Sequence, residues 1–102
     1  MSGCYILYSQ HLKRFYIGAI HDDLDSRIKK HNEGTNGITK FTAKATDWQL
    51  YLFIACETYA QAICIERHIK RMKSSVYIRN LTMHQEIVDN LKLKCKSVRL
   101  PR

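Results

Sequence analysis

The sequence predicts a small α+β fold, with a three-stranded antiparallel-type sheet flanked by helices in the order β-β-α-β-α-α. Two short runs rich in Tyr, Ile and Phe, at residues 4–9 and 14–20, are joined only by the polar link QHLK, which is typical of a hairpin. A third apolar run, WQLYLFIAC, has the length and composition of a further strand, which we expect to be well buried. The stretches between and after these runs repeat apolar residues at helical spacing.

The two strands of the hairpin predict where their tyrosines point. Side chains alternate between the two faces of a strand, so Tyr5 and Leu7 share one face of the first strand. On the second strand Tyr16 and Gly18 share a face in the same way. If the hairpin register allows it, Tyr5 and Tyr16 point to the same side of the sheet.

The first helix follows the hairpin. Asp22 or Asp23 can cap its N-terminus, and Gly34 is placed to end it. Arg27 and His31 are four residues apart, so they project from one face of this helix. The polar connection that follows, residues 35–47, is long enough to suggest a functional loop.

The second helix has the clearest pattern. Thr58 and Gln61 form a capping box at its start, and Glu66 lies at the edge of an apolar stripe formed by Ala62, Ile65, Ile69 and Met72. Two further helical segments close the chain, one near residues 75–81 and one from Thr82, where Gln85 completes a second capping-box pattern.

The charge of the chain favours a polyanionic partner. There are 17 Lys+Arg against 9 Asp+Glu, a formal net charge of +8 in 102 residues. Nucleic acid is the simplest such partner, although a basic protein without one has the same composition. The length predicts a single domain, 1–102.

The four cysteines form no C-x-x-C pair, so their spacing supports neither a zinc site nor a redox motif. The N-terminus does not resemble a signal peptide, and no apolar run is long enough to cross a bilayer. We therefore expect a cytoplasmic protein whose cysteines are reduced and mostly buried.

Several motifs together resemble one family. GCY at 3–5 followed by YIG at 16–18 is similar to the pair of signatures that names the GIY-YIG nuclease superfamily, with Cys4 in place of the Ile. Four further segments resemble parts of the family in the same order. Its first helix is similar to LDSRIKKHN, and the connection into its third strand is similar to KFTAKATDWQLYLF. The helix that carries its glutamate is similar to AICIERHIK, and the tail of its small stand-alone members is similar to KSSVYIRNL. The resemblance covers a core of about 3–81 and leaves 82–102 as a C-terminal helical extension.

The resemblance implies an activity and a set of site residues. It implies a metal-dependent endonuclease that hydrolyses phosphodiester bonds in DNA and uses Mg²⁺ or Mn²⁺. The family's functional residues match Tyr5, Tyr16, Arg27, His31 and Glu66, with Glu66 as the metal ligand. Asn80 is the nearest match to an asparagine that many members carry, but its surroundings match less well, so it is left outside the set.

Phosphodiester hydrolysis gives each of these residues a role. Glu66 with waters and a phosphate is a normal Mg²⁺ site, and Arg27 offers a planar cation for the phosphate. Tyr5 is the expected base or water-orienting group, with Arg27, His31 and the metal favouring its phenolate, while Tyr16 positions the water or a phosphate oxygen. His31 can take the proton directly or through Tyr5, and the sequence does not decide between these routes.

Each residue also has an ordinary structural interpretation. Glu66 and Lys70 can form a surface ion pair at i, i+4, which contributes only a few tenths of a kcal/mol. Arg27 can be a solvated helix residue, and the tyrosines can be cross-strand packing. Gly18 can let a substrate or a neighbouring group approach the sheet closely, or can simply end a strand.

We expect phosphate contacts from five cations along the chain: Lys30, Lys40, Lys44, Lys70 and Arg71. Because no separate DNA-recognition domain is expected, base specificity should be weak, with a preference for a single strand or an altered structure. The alternative function is a nucleic-acid-binding module without catalysis, which would have no reason to keep a carboxylate in a basic cleft.

Overall fold

The structure is a computed structural model that describes residues 2–33 and 45–96. These residues form three strands and four helices, in the order β1 (Ser2–Ser9), β2 (Arg14–Ile20), α1 (Leu24–Glu33), β3 (Gln49–Cys56), α2 (Tyr59–Met72), α3 (Ser75–Met83) and α4 (Gln85–Cys95). The predicted α+β class and the order β-β-α-β-α-α are confirmed. The last helix, α4, lies in the segment expected to be a helical extension.

The sheet is antiparallel throughout, with strand order β2-β1-β3. In the hairpin register Tyr5 is opposite Gly18 and Leu7 is opposite Tyr16. These four residues therefore share one face of the sheet, as the alternation predicted for the two tyrosines.

The third strand is less buried than its sequence suggested. It lies at an edge of the sheet, and Gln49, Leu50 and Ala55 are exposed while Ile54 is buried. The expectation of a well-buried strand was wrong because an apolar run does not show whether a strand has neighbours on one side or on both.

Each face of the sheet carries its own core. On one face α2, α3 and α4 pack on Cys4, Ile6 and Ile54. On the other face Tyr5, Leu7 and Ile20 are buried with Trp48 and with two half-buried apolar residues of α1, Leu24 and Ile28.

The caps of α1 and α2 confirm the predicted helix starts. Asp23 accepts hydrogen bonds from the Ser26 backbone N–H at 3.3 Å and from its hydroxyl at 2.6 Å. Thr58 accepts from the Gln61 N–H at 3.1 Å, and the Gln61 side chain accepts from the Glu57 N–H at 2.8 Å.

Two details of the helices differ from prediction. Met72, expected in the apolar stripe, is the last residue of α2 and is 44% exposed. Thr82 does not start a helix: α3 continues to Met83, and α4 begins at Gln85 after His84, whose side chain makes no capping bond. A capping pattern cannot show whether the preceding helix has already ended.

The expectation for the cysteines was wrong for one pair. Cys64 in α2 and Cys95 in α4 form a disulfide with a Cα–Cα distance of 5.8 Å, whereas Cys4 and Cys56 are free. The paired residues are 31 positions apart, and only the packing of α4 beside α2 brings them together. In the described part of the chain, no helix has the length and apolar character needed to cross a bilayer.

Candidate active site

Tyr5 is at the centre of a buried polar cluster on the α1 face of the sheet. Its side chain is almost wholly buried, at 1% exposure, and its hydroxyl lies 3.0 Å from Nε2 of His31, which is equally buried. Central strand β1 fixes the tyrosine, and the last turn of α1 brings the histidine over it. The two residues are 26 positions apart in sequence.

Gly18 makes room for the Tyr5 ring. A Cβ atom at this position would lie 2.5 Å from both Cζ and the hydroxyl oxygen of Tyr5, closer than real Cβ contacts. The phenol therefore lies directly over the β2 backbone. The sequence left open whether Gly18 makes room for a substrate or for a neighbouring group. In the structure the Tyr5 ring occupies this space.

Tyr16 forms the adjacent wall. Its ring centroid is 4.7 Å from that of His31, 6.3 Å from that of Tyr5 and 6.4 Å from that of Trp48. The rings of Tyr5, Tyr16 and His31 therefore form one cluster between the sheet and α1.

Arg27 supplies a positive charge beside this cluster. It lies one turn before His31 on α1 and is half-buried. Burial raises the pKa values of Tyr5 and Tyr16, and the Arg27 charge opposes that rise. At His31 burial lowers the pKa, and the Arg27 charge lowers it further. Arg27 is therefore not a fully solvated helix residue.

Glu66 approaches from the other side of the sheet. It lies on α2, which packs against the opposite face, and its side chain is 19% exposed. Its negative charge nevertheless raises the pKa values of both Tyr5 and Tyr16. The carboxylate therefore lies within electrostatic reach of both hydroxyls.

The sequence also identifies the family of the chain. A family model described as the GIY-YIG catalytic domain matches residues 1–80, from β1 into α3. The chain belongs to the GIY-YIG family. This family is one of nucleases, and α4 lies beyond the matched region. No curated protein and no solved structure matched the chain significantly.

Burial decides the protonation states in this GIY-YIG domain. It raises the pKa values of Tyr5 and Tyr16 above the ordinary value of 10.0, although the Arg27 charge opposes the shift. Burial, followed by the Arg27 charge, lowers the pKa of His31 from 6.5 to about 4. Without a metal, the phenolate expected for Tyr5 is therefore disfavoured, because desolvation outweighs Arg27 and the neutral His31 supplies no charge.

The depressed pKa of His31 makes folding depend on pH. In the unfolded chain the imidazole protonates near its ordinary pKa of 6.5, whereas in the folded domain it does so only near 4. The unfolded state therefore binds more protons between these values, so this group's contribution is intact above pH 6.5 and is lost as the pH falls toward about 4.

We expect that contribution to reach at most about 3 kcal/mol, and expect it to be absent from a His31→Gln protein. Urea unfolding of both proteins across this pH range measures it as the difference between their profiles. Parallel profiles would contradict the buried neutral imidazole.

The donors near Glu66 suit a hard divalent cation. Mg²⁺ binds through one or two carboxylates, with waters and substrate phosphate completing its coordination. One half-buried carboxylate within electrostatic reach of two phenolic oxygens matches this requirement. Across residues 2–33 and 45–96 no group of three or more His, Cys, Asp or Glu residues could hold a metal, so a closed zinc-type cage is not found there.

The cations predicted to contact nucleic acid are scattered. Lys30 is exposed on α1, and Lys70 and Arg71 are exposed at the end of α2. Lys40 and Lys44, together with Gly34, lie outside the described residues. Asn80 lies on α3, and within the described chain its side chain makes no hydrogen bond to a site residue.

Residues that hold the site in place were not singled out from the sequence. The Asn32 side chain accepts from the Trp48 N–H at 2.6 Å and donates to the Trp48 carbonyl at 3.0 Å, which ties the end of α1 to the segment before β3. Similarly, Asp47 accepts from the Ser9 hydroxyl at 2.6 Å and from the His11 N–H at 2.9 Å. The position of Asn32 directly after His31 was the only available signal.

Proposed function

We propose that this chain is a divalent-metal-dependent endonuclease that hydrolyses phosphodiester bonds in DNA. The proposal assigns catalytic roles to Tyr5, Tyr16, Arg27, His31 and Glu66. The observation that carries it is the buried Tyr5–His31 pair, with 3.0 Å between the Tyr5 hydroxyl and Nε2 of His31, in a chain whose residues 1–80 match the GIY-YIG catalytic domain. The charges of Arg27 and Glu66 act on this hydroxyl from the two sides of the sheet and support the same assignment.

The hydrogen bond between Tyr5 and His31 supports a proton relay. Arg27 can only donate, so the Tyr5 O–H donates to the unprotonated Nε2 of His31, and the ring proton lies on Nδ1, which has no hydrogen-bond partner among the described residues. A water bound to the Tyr5 oxygen can give it a proton while Tyr5 passes its own proton to Nε2. The water oxygen then attacks phosphorus as the bond to the leaving oxygen breaks.

The charges around His31 link this relay to the substrate. Burial and, to a smaller extent, the Arg27 charge make protonation of His31 unfavourable in the free protein, which is why its pKa is low. A bound phosphodiester places negative charge next to both residues and raises the proton affinity of the imidazole. Tyr16 orients the water or a phosphate oxygen, and Arg27 binds the phosphate.

Glu66 is the proposed ligand of Mg²⁺ or Mn²⁺. A cation bound there would offset the charge that develops on the phosphate and on the leaving oxygen. We further propose low sequence specificity, with a preference for a single strand or an altered DNA structure, because the matched family region is a catalytic domain.

A cleavage panel tests the proposed function. Purified protein should cut one or more of single-stranded, duplex, flapped and branched DNA with Mg²⁺ or Mn²⁺, and should cut none of them with EDTA. RNA substrates test the choice of nucleic acid. Salt-sensitive binding without cleavage under any divalent metal would instead support a non-catalytic binding module.

Changes at Arg27 test the geometry of the phosphate contact. We expect Arg27→Ala to lower cleavage by about 100-fold or more, and Arg27→Lys to restore only part of it, because lysine keeps the charge but lacks the planar fork. Circular dichroism should show an intact fold in both proteins. Full activity in Arg27→Ala would contradict the assigned role.

A further inference from the structure

A second concave site lies on the opposite face of the sheet from the two catalytic tyrosines. It is a pocket of about 480 Å³ between the β1–β2 hairpin and the junction of α2 with α3. Five cations and no acidic residue line it: Lys13, Arg14, Lys70, Lys73 and Arg79. We call it the basic pocket, and its volume falls within the range of pockets that bind small molecules.

The charge of the basic pocket is largely uncompensated. Lys70 pairs with Glu66 at 3.5 Å, but the other four cations have no carboxylate within ion-pair distance in the described chain. The sequence outside the described ranges contains no Asp or Glu. Cations gathered in a concavity repel one another, and a bound anion removes that repulsion.

The backbone supplies a second, independent observation. Lys13 and Lys73 are the two non-glycine residues with positive φ among those described, at 53° and 48°, and both line this pocket. A side chain in this conformation is strained, and glycine would adopt it freely. The fold therefore holds a lysine at two positions where local conformation favours glycine, as expected if the side chains are needed.

Two aromatic residues form part of the remaining wall of the pocket, beside isoleucines and serines. Tyr8 and Phe15 line it with their ring centroids 4.9 Å apart, and Phe15 packs edge-on against Tyr51. Aromatic rings beside a cluster of cations can bind an unpaired base by stacking and its phosphate by charge. Bases inside a duplex are already stacked, so they cannot enter such a pocket.

Glu66 connects the basic pocket to the catalytic cluster. Its carboxylate pairs with Lys70 of the pocket and also acts on the Tyr5 and Tyr16 hydroxyls. We propose that the basic pocket binds a nucleotide of an unpaired strand beside the scissile phosphate, with the cations on its phosphate and Tyr8 against its base. This inference rests on the proposed nuclease function and specifies its substrate as unpaired DNA.

Replacing both strained lysines by glycine tests the phosphate contacts. We expect the Lys13→Gly/Lys73→Gly protein to be as stable to heat as wild type or more so, because glycine relieves the strained conformation. Binding of a labelled single-stranded oligonucleotide is measured by fluorescence anisotropy in EDTA at several salt concentrations. The slope of log binding constant against log salt concentration should become smaller in magnitude by about 1.4, which is about 0.7 for each lost phosphate contact. The Lys94→Gln/Lys96→Gln protein lacks two positive charges at exposed positions outside the basic pocket, so it is the charge-matched control and should leave the slope unchanged.

Replacing the aromatic wall tests for an unpaired base. We expect Tyr8→Ala to weaken single-strand binding by at least about fivefold and to leave duplex binding unchanged. An unchanged slope in the double variant would overturn the inference. The inference would also be overturned if the double variant lost equal affinity for duplex and single-stranded DNA while Tyr8→Ala had no effect. The basic pocket would then contact paired DNA.

The two proposals fail in different ways. A wild-type protein that binds as described but cuts no DNA with Mg²⁺ or Mn²⁺ contradicts the nuclease function alone. A wild-type protein that cuts DNA, while the double variant binds and cuts equally well, contradicts the basic pocket alone.

Discussion

A Gly18→Ala protein is expected to lose cleavage activity by about 100-fold or more while remaining folded. The added Cβ would lie 2.5 Å from Cζ and from the hydroxyl oxygen of Tyr5. Because the Tyr5 ring is buried on all sides, it can move away only by giving up its 3.0 Å hydrogen bond to His31. The proposed relay depends on that bond.

The same substitution should destabilise the domain by about 1–3 kcal/mol through overpacking. Activity must therefore be separated from stability, by measuring kcat at a temperature where urea unfolding shows the protein to be folded. A restored rate at higher substrate concentration would contradict the prediction, because a displaced relay lowers kcat rather than substrate affinity.

Gly3→Ala provides a matched control on the neighbouring strand. Its Cβ would meet the Phe53 ring and lie 2.7 Å from the Ile54 carbonyl oxygen, so this substitution overpacks the sheet as well. Gly3 pairs with Ile20 and Ala55, away from Gly18. We expect Gly3→Ala to lose a similar amount of stability and to keep most of its activity per folded molecule.

The directions of the site residues followed from the sequence because they depend on local geometry. The two-residue period of a strand predicted that Tyr5 and Tyr16 share a face, and the spacing of Arg27 and His31 predicted one face of α1. The packing of α1 on that face of the sheet depends on tertiary structure. The half-buried Leu24 and Ile28 of α1 make this contact.

The features that the sequence did not predict depend on tertiary packing. Whether β3 is central or at an edge, and whether Cys64 meets Cys95, is decided by residues far apart in the chain. The basic pocket combines the hairpin turn with the α2–α3 junction, so its cations looked like separate surface charges. The expected phenolate of Tyr5 was also wrong, because the sequence does not show how deeply the side chain is buried. Burial raises the pKa of Tyr5 more than the Arg27 charge lowers it.

Glu66 can have a structural role as an ion-pair partner or a catalytic role as a metal ligand, and the two roles predict different effects of mutation. The ion pair that the sequence allowed is present, with Lys70 Nζ 3.5 Å from Glu66 Oε1. An i, i+4 pair of this kind, with Lys70 exposed, contributes only a few tenths of a kcal/mol to stability. If the pair were its only role, removing the carboxylate would have little effect on anything else.

We expect Glu66→Gln to lower kcat by about 1,000-fold or more while changing stability by less than about 0.5 kcal/mol. Glutamine keeps the shape of the side chain but loses the charge that a divalent cation requires. Binding of Mn²⁺, followed by electron paramagnetic resonance, should weaken in parallel. This second measurement does not depend on catalysis, so it separates the loss of a metal ligand from other defects.

Lys70→Gln separates the ion pair from the metal site. It removes the same pair and leaves the carboxylate in place, so its Mn²⁺ affinity and kcat should stay close to those of wild type. Its effect should fall on DNA binding and KM, because Lys70 lines the basic pocket. Equal losses of kcat in Glu66→Gln and Lys70→Gln would show that the pair itself matters and that the carboxylate does not bind the metal. If only Glu66→Gln loses kcat and Mn²⁺ affinity, the ion pair cannot explain the loss, because both variants lack that pair. The carboxylate then acts as the metal ligand.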